Sequence, residues 1–357
     1  MGTKKATSPS FVAMDVERRT RRQKFFGAID IIIDWDQVDQ QIRPFYNKGK
    51  NAVGQDAYSG VLLFKMLLIG IWYNLSDERT EDMVNDSLSA MKFCGLRIED
   101  AVPDHSVLSR FRSELTQKAA MDSLLDHINE QLQNKGIMVK QGKAKVDATL
   151  TDSPRKPKGK KTFQLAKDRQ EDQRDQEDID KEQEQSKLTQ EEQPGVDHQA
   201  RWLKKRGKLH YGFKNHTAVD EDGLVKAVHT TTANEHDSKG LPALLDKLEG
   251  KCSSIYADKG YKTSSNDEEL KDRNLKNRIQ DKAYRNRPLT ERQKLRNKLI
   301  SKDRYKVERT FGSQKKWFGG GVCRYVGMAK AHTQHILLSI AYNLKRSPQL
   351  VWDKSVQ

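Results

Sequence analysis

Asp147, Asp258 and Glu308 are the acids whose surroundings fit least well with a solvated surface charge. Asp147 lies in Lys145-Val146-Asp147-Ala148-Thr149-Leu150-Thr151, a β-branched, alternating run that predicts a strand and a partly buried carboxylate. Burying an unpaired charge is costly, so such a group needs a partner. Asp258 ends Ser254-Ile255-Tyr256-Ala257 and is followed by Lys259-Gly260-Tyr261, where glycine lets the backbone turn out of the strand. Glu308 sits in Arg304-Tyr305-Lys306-Val307-Glu308-Arg309-Thr310-Phe311. There Val307 and Phe311 share one helix face, while Arg304, Glu308 and Lys315 fall near another. Three carboxylates from separate elements are hard oxygen donors of the kind Mg²⁺ or Mn²⁺ prefers. Two such ions about 4 Å apart could activate a nucleophilic oxygen and stabilise the leaving oxygen of a phosphodiester. The chain has 50 acids, so spacing alone does not single out these three; their local context does.

The elements that would position them must come from a chain of 357 residues, long enough for two domains with real cores. Lys and Arg number 65 against 50 Asp and Glu, a net charge of +15 that points to a polyanionic partner bound through salt-dependent phosphate contacts. A generally basic soluble protein is the alternative. Cys94, Cys252 and Cys323 form no Cys-x-x-Cys pair, which argues against a disulfide framework and a zinc ribbon and makes a reducing cytoplasm the expected compartment. The longest apolar run, Val61 to Leu75, is too short to span a bilayer and is interrupted by Lys65; it reads as a buried helix. The N-terminus lacks a signal-peptide core, and no membrane association is expected.

Residues 1–50 read as a basic arm, densest at Arg18-Arg19-Thr20-Arg21-Arg22, with Ile31-Ile32-Ile33-Asp34-Trp35 as an anchoring segment. The arm either touches DNA or is a solvated tail. From 51 to 140 the pattern is helical. One helix opens after Ser59, a second at Ser76 with Asp77 and Glu78 in its first turn, and a third near Asp104. This bundle, carrying Arg110 and Arg112, is either a helix-turn-helix-like DNA reader or a structural domain. From 141 to 346, strands at Lys145–Asp152, His210–Val219 and Val225–Thr232 predict three adjacent antiparallel strands, the last two joined by the hairpin turn Asp220-Glu221-Asp222-Gly223. A helix at Ser238–Leu248, the strand before Asp258 and a segment at Asn277–Gln280 extend this into an α/β unit. Thr290 and Gln293 predict a capping box for the helix carrying Glu308. Residues 155–208 form a charged insertion whose middle, Asp168–Gln193, cannot bury a core. At its end, Trp202, Lys204, Lys205, Arg206 and Lys208 place an aromatic among cations, which suits either a nucleic-acid groove or a loop anchor. Residues 347–357 read as a tail.

These segments resemble the DDE transposases of bacterial insertion sequences, specifically the insertion-sequence-five group, over about Gly54 to Arg346. The resemblance rests on Leu75-Ser76-Asp77-Glu78, Pro103-Asp104-His105-Ser106-Val107-Leu108-Ser109-Arg110-Phe111-Arg112, Val146-Asp147-Ala148-Thr149, Tyr211-Gly212-Phe213-Lys214-Asn215-His216, Thr232-Ala233-Asn234-Glu235-His236-Asp237-Ser238 and Ala257-Asp258-Lys259-Gly260-Tyr261, in that order. Arg304 with Glu308 and Lys315 matches most of the signature around the family's glutamate. The tyrosine common three residues before the arginine is here Ser301, with Tyr305 after the arginine instead.

The resemblance implies an RNase H-like mixed-sheet catalytic domain behind the all-helical N-terminal domain. It also implies Mg²⁺ or Mn²⁺ held by Asp147, Asp258 and Glu308, cleavage at insertion-sequence ends and strand transfer into target DNA. Arg304 and Lys315 would hold phosphates, or simply pair with Glu308. Double-stranded DNA is the implied partner, and holding two DNA ends together asks for a homo-oligomer. An RNase H-like nuclease without strand transfer, and an inactive DNA-binding relative, remain alternatives.

Other polar residues have plainer readings. Asp237 or Ser238 caps a helix beside His236. His332 and His335, three apart, sit on a helix surface without further soft ligands for zinc. Gly319-Gly320-Gly321 is a turn, and Ile336–Leu344 packs as core.

Overall fold

The computed structural model of the chain describes residues 21–46, 57–158, 163–165, 188–190, 194–205, 207–284 and 287–355. The helical half begins earlier than its sequence pattern suggests. Helices α1 (Arg21–Ile32) and α2 (Trp35–Ile42) occupy part of the region read as a basic arm. Phe26, Ile29, Ile32, Ile33, Val38 and Ile42 are buried in the main core, and only Ile31 of the isoleucine run faces solvent. The arm reading is corrected for 21–46; Arg18, Arg19 and Thr20 lie outside the described residues.

Helix α3 (Gly60–Trp72) is apolar on every side and correspondingly buried. Its one charge, Lys65, lies 3.2 Å from Asp30 and over the rings of Trp35 and Phe93. Helix α4 (Asp77–Asp86) starts at Ser76, whose hydroxyl accepts the Arg79 N–H. After α5 (Leu88–Cys94), α6 (His105–Gln117) starts at Asp104, capping Val107 N–H. Helix α7 (Ala120–Asn134) completes the series. The helices α5 and α7 have no counterpart in the sequence reading. No single helix among the described residues is long and apolar enough to cross a membrane.

A mixed sheet follows, built from β1 (Lys143–Asp152), β4 (Arg201–Lys205), β5 (Lys208–Val219), β6 (Val225–Thr232), β7 (Ser254–Ala257) and β8 (Lys276–Ile279). A separate ribbon pairs β2 (Phe163–Leu165) with β3 (Leu188–Gln190). The main sheet runs β4-β5-β1-β7-β8, with β6 also on β5. The expected β6-β5-β1 antiparallel trio is present, and β7 and β8 add in parallel. Gly212 allows β5 to approach β1 closely, since a Cβ there would meet the Thr151 carbonyl oxygen at 2.1 Å. Strand β4 joins the sheet from Arg201, so the insertion rejoins the fold before Lys208; residues 166–187 and 191–193 lie outside the described residues.

One sheet face is covered by α8 (Leu241–Lys247) and α9 (Ser264–Asp272), closing a core with Val146, Ala218, Ala227, Ile255 and Tyr261. The other meets α10 (Glu291–Phe318) and α11 (Met328–Ser355). Thr290 and Gln293 make the expected capping box for α10, and Gly319, in the left-handed region at φ +67°, ends it. Helix α11 crosses both halves. It packs on β6, α7, α3 and α1, and Trp72 Nε1 donates to the Ala341 carbonyl at 2.8 Å. Ile336–Leu344 is core as expected, but the helix continues to Ser355 through the segment read as a tail, burying Leu350. One apolar cluster therefore runs from α1 through α11 to Val225 and Val228 of β6, tying the bundle to the sheet. Each fully buried aliphatic or aromatic side chain in it contributes roughly 1.5–3 kcal/mol.

Candidate active site

Alternation along β1 turns Val146 into the α8 core and Asp147 to the opposite face, where α10 packs. Strand β7 runs parallel to β1 with Lys145 opposite Tyr256; two further residues of that register bring Asp258 alongside Asp147. Strand β7 stops at Ala257, and Asp258 caps a single 3₁₀ turn, accepting the Gly260 N–H at 2.8 Å. On α10, Arg304 reaches back to β1, its Nη2 3.0 Å from Asp147 Oδ2. Glu308, one turn on, is solvent-exposed. The other Asp147 oxygen accepts its neighbour's amide, Ala148 N–H, at 2.8 Å.

Asp258 and Glu308 thus lie near enough to Asp147 for their charges to act on it. Burial pushes the Asp147 carboxyl up to about 6; Arg304 and the Ala148 amide oppose this, while Asp258 and Glu308 push the same way. In the arrangement seen, Asp147 is engaged by Arg304 and Asp258 by its own turn. Among the described residues no three acids, histidines or cysteines are drawn to metal-ligating geometry. The donor set nevertheless suits a hard divalent ion. It is all carboxylate, its members repel one another, and the Nε of the single compensating guanidinium is buried without a hydrogen-bond partner.

Behind the acids stands a residue that the sequence reading quoted without giving it a role. Tyr261 is fully buried, and burial, with Asp147, Asp237 and Asp258 nearby, pushes its hydroxyl far above the usual range. Its OH lies 3.2 Å from His216 Nδ1, whose Nε2 is 3.0 Å from Thr231 Oγ1, so the turn bearing Asp258 is pinned to the sheet. Its place after Asp258-Lys259-Gly260 was the available signal.

The expected DNA-contacting residues separate. Lys315 is exposed beyond Glu308, near the end of β1. Burial pushes its ammonium down and Lys205 adds to this, while Asp152 opposes. Lys205 and Trp202 lie on the outer strand β4, the indole half-open with its ring 5.0 Å from Tyr211. Arg110 is exposed on α6 and donates to Ser106 Oγ. Arg112 is different. It is buried, forks onto both Asp77 oxygens at 2.9 and 2.8 Å and lies 4.1 Å from the Tyr325 ring centroid, which makes it a link between α4, α6 and the segment before α11.

Two other readings are corrected. His236 itself caps the 3₁₀ turn Asp237–Gly240, and Asp237 instead pairs with Lys214 at 2.7 Å. His335 is fully buried between Thr230 and Thr151, and His332 pairs with Asp122 at 3.0 Å; neither lies on a free helix surface.

The sequence pattern described as Transposase DDE domain matches residues 146–344, and that described as Transposase domain (DUF772) matches residues 14–114. The transposase for insertion sequence element IS1106 of Neisseria meningitidis serogroup B is 37% identical over 239 residues, 67% of this chain and 76% of that protein. Among solved structures, a piggyBac transposase synaptic complex with hairpin DNA aligns at TM-score 0.37 and 10% identity, covering 97% of this chain and 78% of that one. A pre-cleavage Mos1 transpososome aligns at TM-score 0.19 and 9% identity, covering 94% and 97%.

Proposed function

We propose, from the premise that this chain belongs to the DDE transposases, that Asp147, Asp258 and Glu308 are its catalytic acids and that it cuts insertion-sequence ends and joins them to target DNA. Enzymes of this class cleave DNA and transfer strands, and they normally work with divalent metal ions. The observation that supports the residue assignment is that Asp258, at the end of β7, and Glu308, one turn beyond the Arg304 that grips Asp147, lie near enough to add to the effect of burial in raising the Asp147 carboxyl.

The acids would hold Mg²⁺ or Mn²⁺. Bound there, the ion supplies Lewis-acid activation of the attacking oxygen and counter-charge for the leaving one. The chain's own contribution is placement. Strands β1 and β7 fix Asp147 and Asp258 side by side, and the Tyr261–His216 contact holds the Asp258 turn. Arg304 keeps a cation against Asp147, and its guanidinium would be free to turn to a backbone phosphate once an ion took over the charge of Asp147. Lys315, with Lys205 and Trp202 at the end of β1, extends the cationic surface along a DNA strand, and Arg110 offers a phosphate contact from α6. Two DNA ends must be held together, so we take the acting form to be a homo-oligomer.

The test is a plasmid carrying matched element ends, incubated with the full chain in Mg²⁺ or chelator, with the products sequenced. Metal-dependent cleavage with joined ends is expected. Asp147→Asn, Asp258→Asn and Glu308→Gln should each lower cleavage by at least about a thousandfold while leaving DNA binding within a few fold. Cleavage retained in two of these variants would overturn the assignment. Cleavage without joining would favour a nuclease of the same fold.

A further inference from the structure

Helix α10 borders a pocket on a face other than that of Glu308. Glu308 looks toward β1, whereas Arg309, Ser313 and Trp317, at i, i+4 and i+8, lie about 100 to 180° further round the helix. With Phe318 and with Tyr342, Lys345 and Arg346 of α11, they line a pocket of about 220 Å³. Three cations and no acid line it, and its floor is aromatic, since Phe318 and Tyr342 are buried. Trp317 is 58% exposed, with Lys316 Nζ 5.0 Å from its ring centroid. A lone exposed indole is ordinary on a protein surface, but this one edges a pocket lined by three cations.

Arg346 gives a second, independent sign. Its Nε is shut off from solvent and has no hydrogen-bond partner among the described residues. A buried donor left unpaired is destabilising, and since Arg346 lines the pocket, a small turn of its guanidinium would bring that donor to an anion oxygen there. Arg309 spends one donor on the Asp222 carbonyl at 3.1 Å and keeps the rest of its five.

We propose that this pocket binds one unpaired nucleotide of a DNA strand, the base stacked on Trp317 and its phosphate held by Arg309, Lys345 and Arg346. An indole can cover a base face only where the base has left the duplex stack, which selects single-stranded over double-stranded DNA. The aromatic floor is what separates this site from a simple phosphate cradle. The proposal rests on the reading that DNA is the substrate, but not on catalysis, because the pocket and the acids occupy different faces of α10.

The experiment uses the full chain carrying Asp147→Asn, in chelator, so that nothing is cut. Fluorescence anisotropy measures its affinity for a labelled oligothymidylate of about eight nucleotides and for a duplex of equal length. Trp317→Ala should weaken single-strand binding about tenfold, the size of one lost base–aromatic stack, with the duplex changed less than twofold. Arg346→Met should do likewise, and Trp317→Phe should recover most of the loss, which guards against misfolding as the cause. Equal weakening of both DNAs by Trp317→Ala, or no weakening, overturns the proposal. So does a loss confined to Arg346→Met, which would mark a phosphate site without base recognition. If the parent chain binds neither DNA, the DNA reading itself fails and this site fails with it.

Discussion

Arg304 Nη2 and Asp147 Oδ2 lie 3.0 Å apart, joining helix α10 to strand β1. Both side chains are largely shielded, at 10% and 20% exposure, so the pair is more than a surface contact. Removing the arginine leaves Asp147 among Asp258 and Glu308 with no cation. Breaking a fully buried pair costs about 3–5 kcal/mol, but Asp147 can relieve its charge by protonation. Arg304→Gln should therefore lower stability in chelator by roughly 1–3 kcal/mol, measured by urea unfolding. An unchanged urea midpoint would mean that the pair contributes nothing to holding α10 on β1.

The same charge balance predicts how the folded chain responds to ions. A ligand that binds only the native state stabilises it in proportion to the logarithm of its concentration over Kd. Millimolar Mg²⁺ or Mn²⁺ should raise the melting temperature by a few degrees, and Asp147→Asn should lose that rise. Differential scanning fluorimetry with a titration of each ion checks this without DNA. A full rise in the variant would place the ion elsewhere.

Two arginines two residues apart should behave oppositely. Arg112 is buried on Asp77 and Tyr325, while Arg110 faces solvent. Arg112→Met should cost roughly 2–3 kcal/mol, less than a fully buried pair because Asp77 is 31% exposed. Arg110→Ala should leave stability within about 0.5 kcal/mol but reduce DNA affinity several fold and the salt dependence by about one phosphate contact. Thermal melts and binding at two salt concentrations separate the effects. If Arg110→Ala binds DNA like wild type at both salts, α6 is not a DNA-contacting helix.

The contrast between these arginines shows what the sequence carries and what it does not. Local signals were legible. Ser76, Asp104 and Thr290 cap helix starts because short-range capping chemistry is written in a few adjacent residues, while Ser59 marks the start of α3 without a side-chain cap. The Asp220–Gly223 turn, and the places of Asp147 on β1, Asp258 just after β7 and Glu308 on α10, were readable for the same reason, aided by the family's motif order. What escaped depends on distant partners. Nothing near Arg112 announces Tyr325, and nothing near His335 announces Thr151 on a strand 184 positions away. The basic arm was misread because the charges of α1 outweighed the spacing of Phe26, Ile29, Ile32 and Ile33, which shows its core face only once α11 is there to meet it.

Those buried histidines set how the fold responds to acid. His335 is enclosed between Thr230 Oγ1 at 2.8 Å and Thr151 Oγ1 at 3.0 Å, and burial, with His332 and His216 adding to it, pushes its imidazole down to about 3. Burial likewise takes His216 down to about 4; Asp237 opposes this, and His229 and Lys214 add to it. An unfolded histidine titrates near pH 6.5. From there down to the folded values, the unfolded chain takes up protons that the native one refuses, so stability rises with pH across that interval. It is fully present above about pH 6.5 and is lost as pH falls toward 4 and then 3. Asp122 acts only below the carboxylate range: against burial, hydrogen bonds from His332 and Lys247 hold it at about 2. Asp147, held up to about 6 by burial, works the other way between about pH 6 and 4, since the native chain takes up its proton first, but two histidines outweigh one carboxyl. Urea midpoints should therefore fall on balance from pH 7 to pH 4.5, each buried histidine contributing on the order of 1 kcal/mol per pH unit below about pH 6.5. His335→Gln, which can still bond both hydroxyls but cannot titrate, should be less stable at pH 7 yet show a shallower slope by about one histidine's share. Parallel slopes for the variant and the wild type would rule His335 out as a source of the acid sensitivity.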